Sequence, residues 1–166
     1  MLSGGKAAFF LLAAALAVVL LASYDRMPAV VASHFDGAGV PNGWSSRSAY
    51  LLLLLAIGVL MPLSAIGVVR AVTRSGPRHL NIPARDYWTR PEHGAEAVRR
   101  VRAYMWWLGA VLAASALLVH LTVMEANRMD PPHLRGELML LLLGGVLLAI
   151  GCWVVGWYRL LRPPRP

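Results

Sequence analysis

Six side chains of types that could do chemistry stand out in this chain: His34, Asp36, His120, Glu125, Asp130 and His133. Histidines and carboxylates together are the donor set of a catalytic zinc site, in which three protein ligands leave a fourth position for water. Their spacing does not carry the idea through. No pair has the H-x-x-x-H or H-E-x-x-H arrangement that sets two ligands on one helix face, and His34-x-Asp36 alone specifies little. Nucleophilic catalysis fares no better, because Ser33, Ser45, Ser46 and Ser48 lie outside any G-x-S-x-G turn. No metal ligand, cofactor or catalytic residue is assigned on these grounds.

His120 is a separate case. It is the only His, Lys, Arg, Asp or Glu within a long apolar run, about one helical turn from that run's end at 1.5 Å per residue. Ionisable groups at membrane depth are functional candidates by default. The favoured alternative is a neutral imidazole hydrogen-bonding between helices. Proton- or ion-coupled transport normally needs a carboxylate inside the bilayer, and no apolar run of this chain contains one. That argues against a self-sufficient transporter.

The elements that must position these residues are membrane helices. The chain is 58% hydrophobic and 14% charged, whereas a soluble domain is about one-quarter charged. Ala7–Tyr24, Ser48–Val69, Ala103–Met124 and Leu138–Tyr158 contain no Asp, Glu, Lys or Arg over 18, 22, 22 and 21 residues. A bilayer core takes about 20 residues of helix. The expected fold is an all-α, integral membrane four-helix bundle forming a single domain over 1–166. Its spans are 7–24, 48–69, 103–124 and 138–158, with external loops 25–47 and 125–137 and a cytoplasmic loop 70–102.

The net charge of +8 is a topology signal rather than a nucleic-acid footprint. Lys6, eight arginines between spans two and three, and Arg159, Arg162 and Arg165 make twelve cations on one side. Arg26, Arg47, Arg128 and Arg135 make four on the other. Basic residues stay in the cytoplasm, so both termini and the 70–102 loop are placed inside. The expected partners are the lipid bilayer and another membrane protein or a second copy of the chain; nucleic acid is not expected. The single cysteine, Cys152, allows no intramolecular disulfide. The first apolar run, too long for a signal sequence and followed by three more, is read as a retained helix.

Several local expectations follow. Ala8, Ala15 and Ala22 put small residues on one face of span one. Pro62 cannot donate to the Gly58 carbonyl, which predicts a kink or a local water. Thr89 and Glu92 fit a capping box with Pro91 in the first turn, and the helix begun there should run on into span three. Tyr87-Trp88 is expected in the inner interface, with the arginines of this segment facing lipid headgroups. Gly109, Ala113, Ala116 and His120 share a 4-3-4 spacing with Gly145, Ala149, Cys152 and Gly156, which predicts that the two seams face each other.

The remaining landmark is the segment from Met27 to Arg47. Gly37, Gly39, Pro41 and Gly43 are four turn-formers within seven residues, a pattern of neither helix nor ordinary strand. The runs Met27-Pro28, His34-Phe35-Asp36-Gly37-Ala38-Gly39, Pro41-Asn42-Gly43-Trp44 and Arg47 resemble a bacterial membrane domain of unknown function. That domain also forms the N-terminal part of immunity proteins against Sdp-type killing-factor toxins. Asn81-Ile82-Pro83-Ala84-Arg85-Asp86-Tyr87-Trp88 is similar to the family's second landmark. Val30-Val31-Ala32 departs from it where the family often has a second proline.

The resemblance implies a module embedded in a bacterial cytoplasmic membrane with the His34–Trp44 loop outside, and by analogy toxin immunity or repressor sequestration. It supplies no catalytic residue. The expected function is that of a multi-pass binding or interaction protein, immunity- or signalling-like. Its candidate binding residues are His34, Asp36, Gly39, Asn42, Gly43, Trp44 and His120, and its cytoplasmic motif is Asn81, Pro83, Tyr87 and Trp88. The rivals are an accessory subunit that uses the small-residue seams, and a metal-handling protein or enzyme that uses the external histidines.

Overall fold

The computed structural model describes residues 4–164; Arg165, counted above among the cytoplasmic charges, lies outside them. Four helical segments are long and apolar enough to cross a membrane: Gly4–Arg26, Arg47–Val72, Pro91–Ala126 and Gly136–Leu160. This is the pattern of a multi-pass membrane protein. In chain order the elements are α1 (Gly4–Ser23), a 3-10 turn (Tyr24–Arg26), β1 (Val30–Phe35), β2 (Pro41–Ser46), α2 (Arg47–Leu55), a π-helical turn (Ala56–Leu60), α3 (Met61–Val72), α4 (Arg85–Trp88), α5 (Pro91–Ala126) and α6 (Gly136–Leu160). The chain is mostly helical. The exception is the segment expected to be neither helix nor ordinary strand, which forms an antiparallel hairpin with two register irregularities.

α1 packs along α5. Its buried stripe is Gly5, Phe9, Ala13, Leu16, Leu20 and Ser23, at helical spacing. Gly109 of α5 lies directly under Phe9: a Cβ there would come within 2.8 Å of the ring. The small residue serves the close backbone approach that drives association when lipid removes the hydrophobic effect. Span two joins the same core. Pro62 leaves the Gly58 carbonyl without its i+4 donor, and the chain responds with a wide turn in which Met61 N–H bonds to Ala56 O, five residues back. Gly58 sits at that turn between Leu16 and Ala116.

The two 4-3-4 seams do not face each other. Gly109, Ala113 and Ala116 of α5 are buried against spans one and two. The α6 seam meets a different face of α5, with Gly145 against Leu118 and Gly156 against the Tyr104 ring. α6 has no fully buried residue, because α5 covers only one side of it. The spacing identified the faces where backbones approach but could not say which helix each face meets.

α5 runs unbroken over 36 residues, about 54 Å at 1.5 Å per residue, so its first turns extend past the bilayer core. Its N-cap is Arg90, with Pro91 in the first turn and no side-chain cap bond. The expected capping box is absent because Thr89 is occupied in ending α4, where its N–H bonds to Arg85 O at 2.9 Å.

Candidate functional site

The site begins with Asp36. Its Oδ1 accepts from the Ala38 and Val40 N–H groups, each at 2.9 Å. An aspartate that bonds its own downstream backbone fixes a turn, and this one brings β2 back beside β1. Gly39 supplies the positive φ, +80°, that the turn needs. Its carbonyl accepts from Leu134 N–H at 2.9 Å, which docks the hairpin tip on the connection between α5 and α6. Gly43 is needed for contact rather than conformation, since a Cβ would come within 2.9 Å of the His34 Cβ. His34 is exposed and packs over Gly43, and its ring makes no hydrogen bond among the described residues. Asn42 is also exposed, and Trp44 is 54% exposed opposite Ala32.

Below the hairpin, Asn127 at the C-cap of α5 acts as a substitute strand. Its Oδ1 accepts from Ala32 N–H at 2.9 Å and its Nδ2 donates to Ala32 O at 2.9 Å. Both backbone groups of Ala32 therefore point away from β2. The Ala32–Trp44 pair is of the non-hydrogen-bonded kind, and the N–H and C=O of Trp44 are turned to the open edge of β2. Arg47 secures the other side. Its Nη1 donates to the Tyr24 carbonyl at 3.0 Å, while the guanidinium lies 4.4 Å from the Tyr24 ring centroid. A helix C-terminus favours such a cation. The hairpin is fastened at its tip, its middle and its base.

His120 does not reach this surface. It is fully buried, with Nε2 2.8 Å from Ser23 Oγ and the ring stacked 5.9 Å from Tyr50. Ser23 Oγ already donates to Leu20 O at 3.0 Å, which assigns the proton to Nε2 and makes Ser23 the acceptor. The imidazole thus ties span three to spans one and two, while Nδ1 and the Tyr50 hydroxyl have no partner among the described residues. A cavity of about 190 Å³ adjoins it, walled in part by Ser23, Arg26 and Arg128. Among the described residues no three His, Cys, Asp or Glu converge as metal ligands would.

At the opposite, arginine-rich end, the Asn81–Trp88 motif is placed differently from its expectation. Trp88 is 2% exposed and its Nε1 donates to Leu161 O at 2.7 Å. Leu80, Ile82, Ala97, Val101 and Leu161 complete a small core around it. Tyr87 stacks on His93 at 4.0 Å rather than lying free at an interface. Pro83 is half-buried and Asn81 exposed. Two arginines expected to face headgroups are tied to helix ends instead: Arg100 donates to Leu160 O at 2.8 Å, and Arg102 to Thr73 Oγ1 at 2.7 Å and Arg70 O at 3.2 Å. The motif clamps the end of α6 against α5.

Asn127, Arg100 and Leu161 are the residues sequence reasoning missed. Asn127 carried one faint signal, a polar amide just past the last apolar turn of a long helix. No curated protein and no solved structure gives a significant match to this chain. A family model described as a domain of unknown function (DUF1648) matches residues 10–59, under a third of the chain. The matched stretch spans most of α1, the whole hairpin and the start of span two, so the fastened hairpin lies inside the segment similar to that domain.

Proposed function

We propose that the chain is a membrane interaction protein that recognises a partner polypeptide through its hairpin. The supporting observation is Trp44, a large exposed aromatic on a fastened hairpin, with its backbone groups turned to an open strand edge. Exposed aromatics are rich sources of binding energy, and prior rigidity lowers the ordering cost of association. An open edge also offers main-chain hydrogen bonds to an extended segment. Val30 and Val40 are further exposed apolar side chains of the same segment. The twelve-to-four distribution of basic residues supports an orientation with the hairpin outside a bacterial cytoplasmic membrane and both termini within. Immunity-like or signalling-like recognition is the class of activity this reading fits.

The test is photo-crosslinking in cells with a photoreactive amino acid at Trp44, compared with the lipid-facing Leu148. A polypeptide adduct specific to position 44 is expected, and its loss in Asn127→Ala would tie recognition to the fastened hairpin. Lipid adducts alone at position 44 would overturn the reading. Accessibility reporters at Gly37 and Gly94 should label from opposite sides; labelling from one side would refute the orientation.

A further inference from the structure

The arginine-rich end holds a cavity of about 810 Å³ between α1, the end of α3 and α5, within the size range of ligand sites. Lys6, Arg70, Arg99 and Arg102 line it, and the nearly buried Trp106 forms its floor. The Lys6 Nζ is 5.8 Å and the Arg70 Cζ 5.5 Å from the same Trp106 centroid. Two cations are thus drawn to one ring, and neither has a carboxylate partner among the described residues. Glu96 offsets only Arg99 and Arg100, which share its carboxylate, so among the described residues Lys6, Arg70 and Arg102 remain without one. Arg102 is held in place through Thr73 Oγ1 and Arg70 O, which leaves its Nη1 uncommitted among the described residues. A neighbouring cavity of about 560 Å³ shares Arg102 and adds Arg74, Arg78 and Arg90, so the positive field extends beyond the first pocket.

Like charges brought together in a partly apolar pocket repel one another, and a bound anion would relieve that repulsion. The walls indicate which anion. Phe10, 49% exposed on α1, carries the pocket into the lipid-facing surface of a spanning helix, and a tryptophan at the end of a span belongs to the headgroup level. From these observations we infer that the cavity binds the phosphate of an anionic membrane phospholipid, with Lys6, Arg70 and Arg102 around the phosphate and an acyl chain along Phe10. Basic pockets between spanning helices suit such headgroups. The site lies at the end of the bundle remote from the hairpin and does not depend on the recognition proposed there.

Native mass spectrometry of the full chain, released from nanodiscs of mixed phosphatidylglycerol and phosphatidylcholine, tests this. One retained phosphatidylglycerol per protein is expected, undisturbed by inorganic phosphate. Lys6→Gln with Arg70→Gln should weaken retention roughly 30-fold, while Arg26→Gln with Arg135→Gln at the other end should not. If the double variant loses its helical circular dichroism, Lys6→Gln alone should still weaken retention about five-fold. Equal retention of the two lipids, or full retention by a folded Lys6→Gln variant, would overturn the assignment. Displacement by inorganic phosphate would overturn it too, by showing a site for a free anion.

Discussion

Replacing Asn127 by leucine keeps the approximate volume of the side chain and removes both hydrogen bonds to Ala32. Each is worth about 1 kcal/mol net, and a buried backbone group left unpaired costs about 1–3 kcal/mol. Ala32 is fully buried, with its N–H and C=O both committed to Asn127 at 2.9 Å. Water cannot replace the amide unless the hairpin lifts away from α5, so the variant should favour that opening by at least about 2 kcal/mol, roughly 30-fold in the opening equilibrium. The measurement is amide hydrogen exchange of the protein in nanodiscs. Exchange at Ala32 should accelerate by about that factor, and amides of α5 below Val123 should be unaffected. Asn127→Ala should match Asn127→Leu if hydrogen bonding rather than packing fastens the strand. Exchange at Ala32 within two- or three-fold of the parent in Asn127→Leu would refute the reasoning.

The same residue marks the limit of what could be read from the chain. The four spans were legible because a charge-free run of membrane length has few other physical explanations. The continuity of α5 from Pro91 was legible because no Gly-Pro break intervenes. Asn127, in contrast, belongs to no period, and its partner Ala32 lies 95 residues earlier. Trp88 shows a related ambiguity. An aromatic beside arginines fits a lipid interface and a small protein core equally well, and only the carbonyl of Leu161, 73 residues away, decides between them. The hairpin escaped for another reason. Four turn-formers in seven residues suppressed the strand reading, yet two of them are needed by the hairpin itself: Gly39 for its φ and Gly43 for the space His34 takes. The charge of Asp36 suggests a ligand, but the contacts of its Oδ1 are both to the turn it builds.

Four further outcomes are expected. Gly39→Ala should undock the hairpin tip, because alanine at φ +80° costs about 1 kcal/mol or more and its Cβ would meet the Leu134 carbonyl; Leu134 amide exchange reports it, with Gly37→Ala, which has open space, as control. Trp88→Phe should lower stability by about 1–3 kcal/mol, read as a lower thermal midpoint, because it strands the Leu161 carbonyl in the small core of Leu80, Ile82 and Val101. Ala84→Gly should raise the midpoint, since Ala84 sits at φ 53° and left-handed backbone costs an L-residue roughly 1–2 kcal/mol; a fall would show that its methyl is needed. Gly58→Ala should destabilise by about 1–3 kcal/mol through overpacking, because the new Cβ would lie 2.5 Å from Leu16 Cδ2 and 3.1 Å from the Ala116 Cβ. Leu16 can rotate away but Ala116 is fixed on α5, so Gly58→Ala combined with Ala116→Gly should cost less than the sum of the two single variants, and strict additivity of the midpoint shifts would refute the three-helix contact at the π-helical turn.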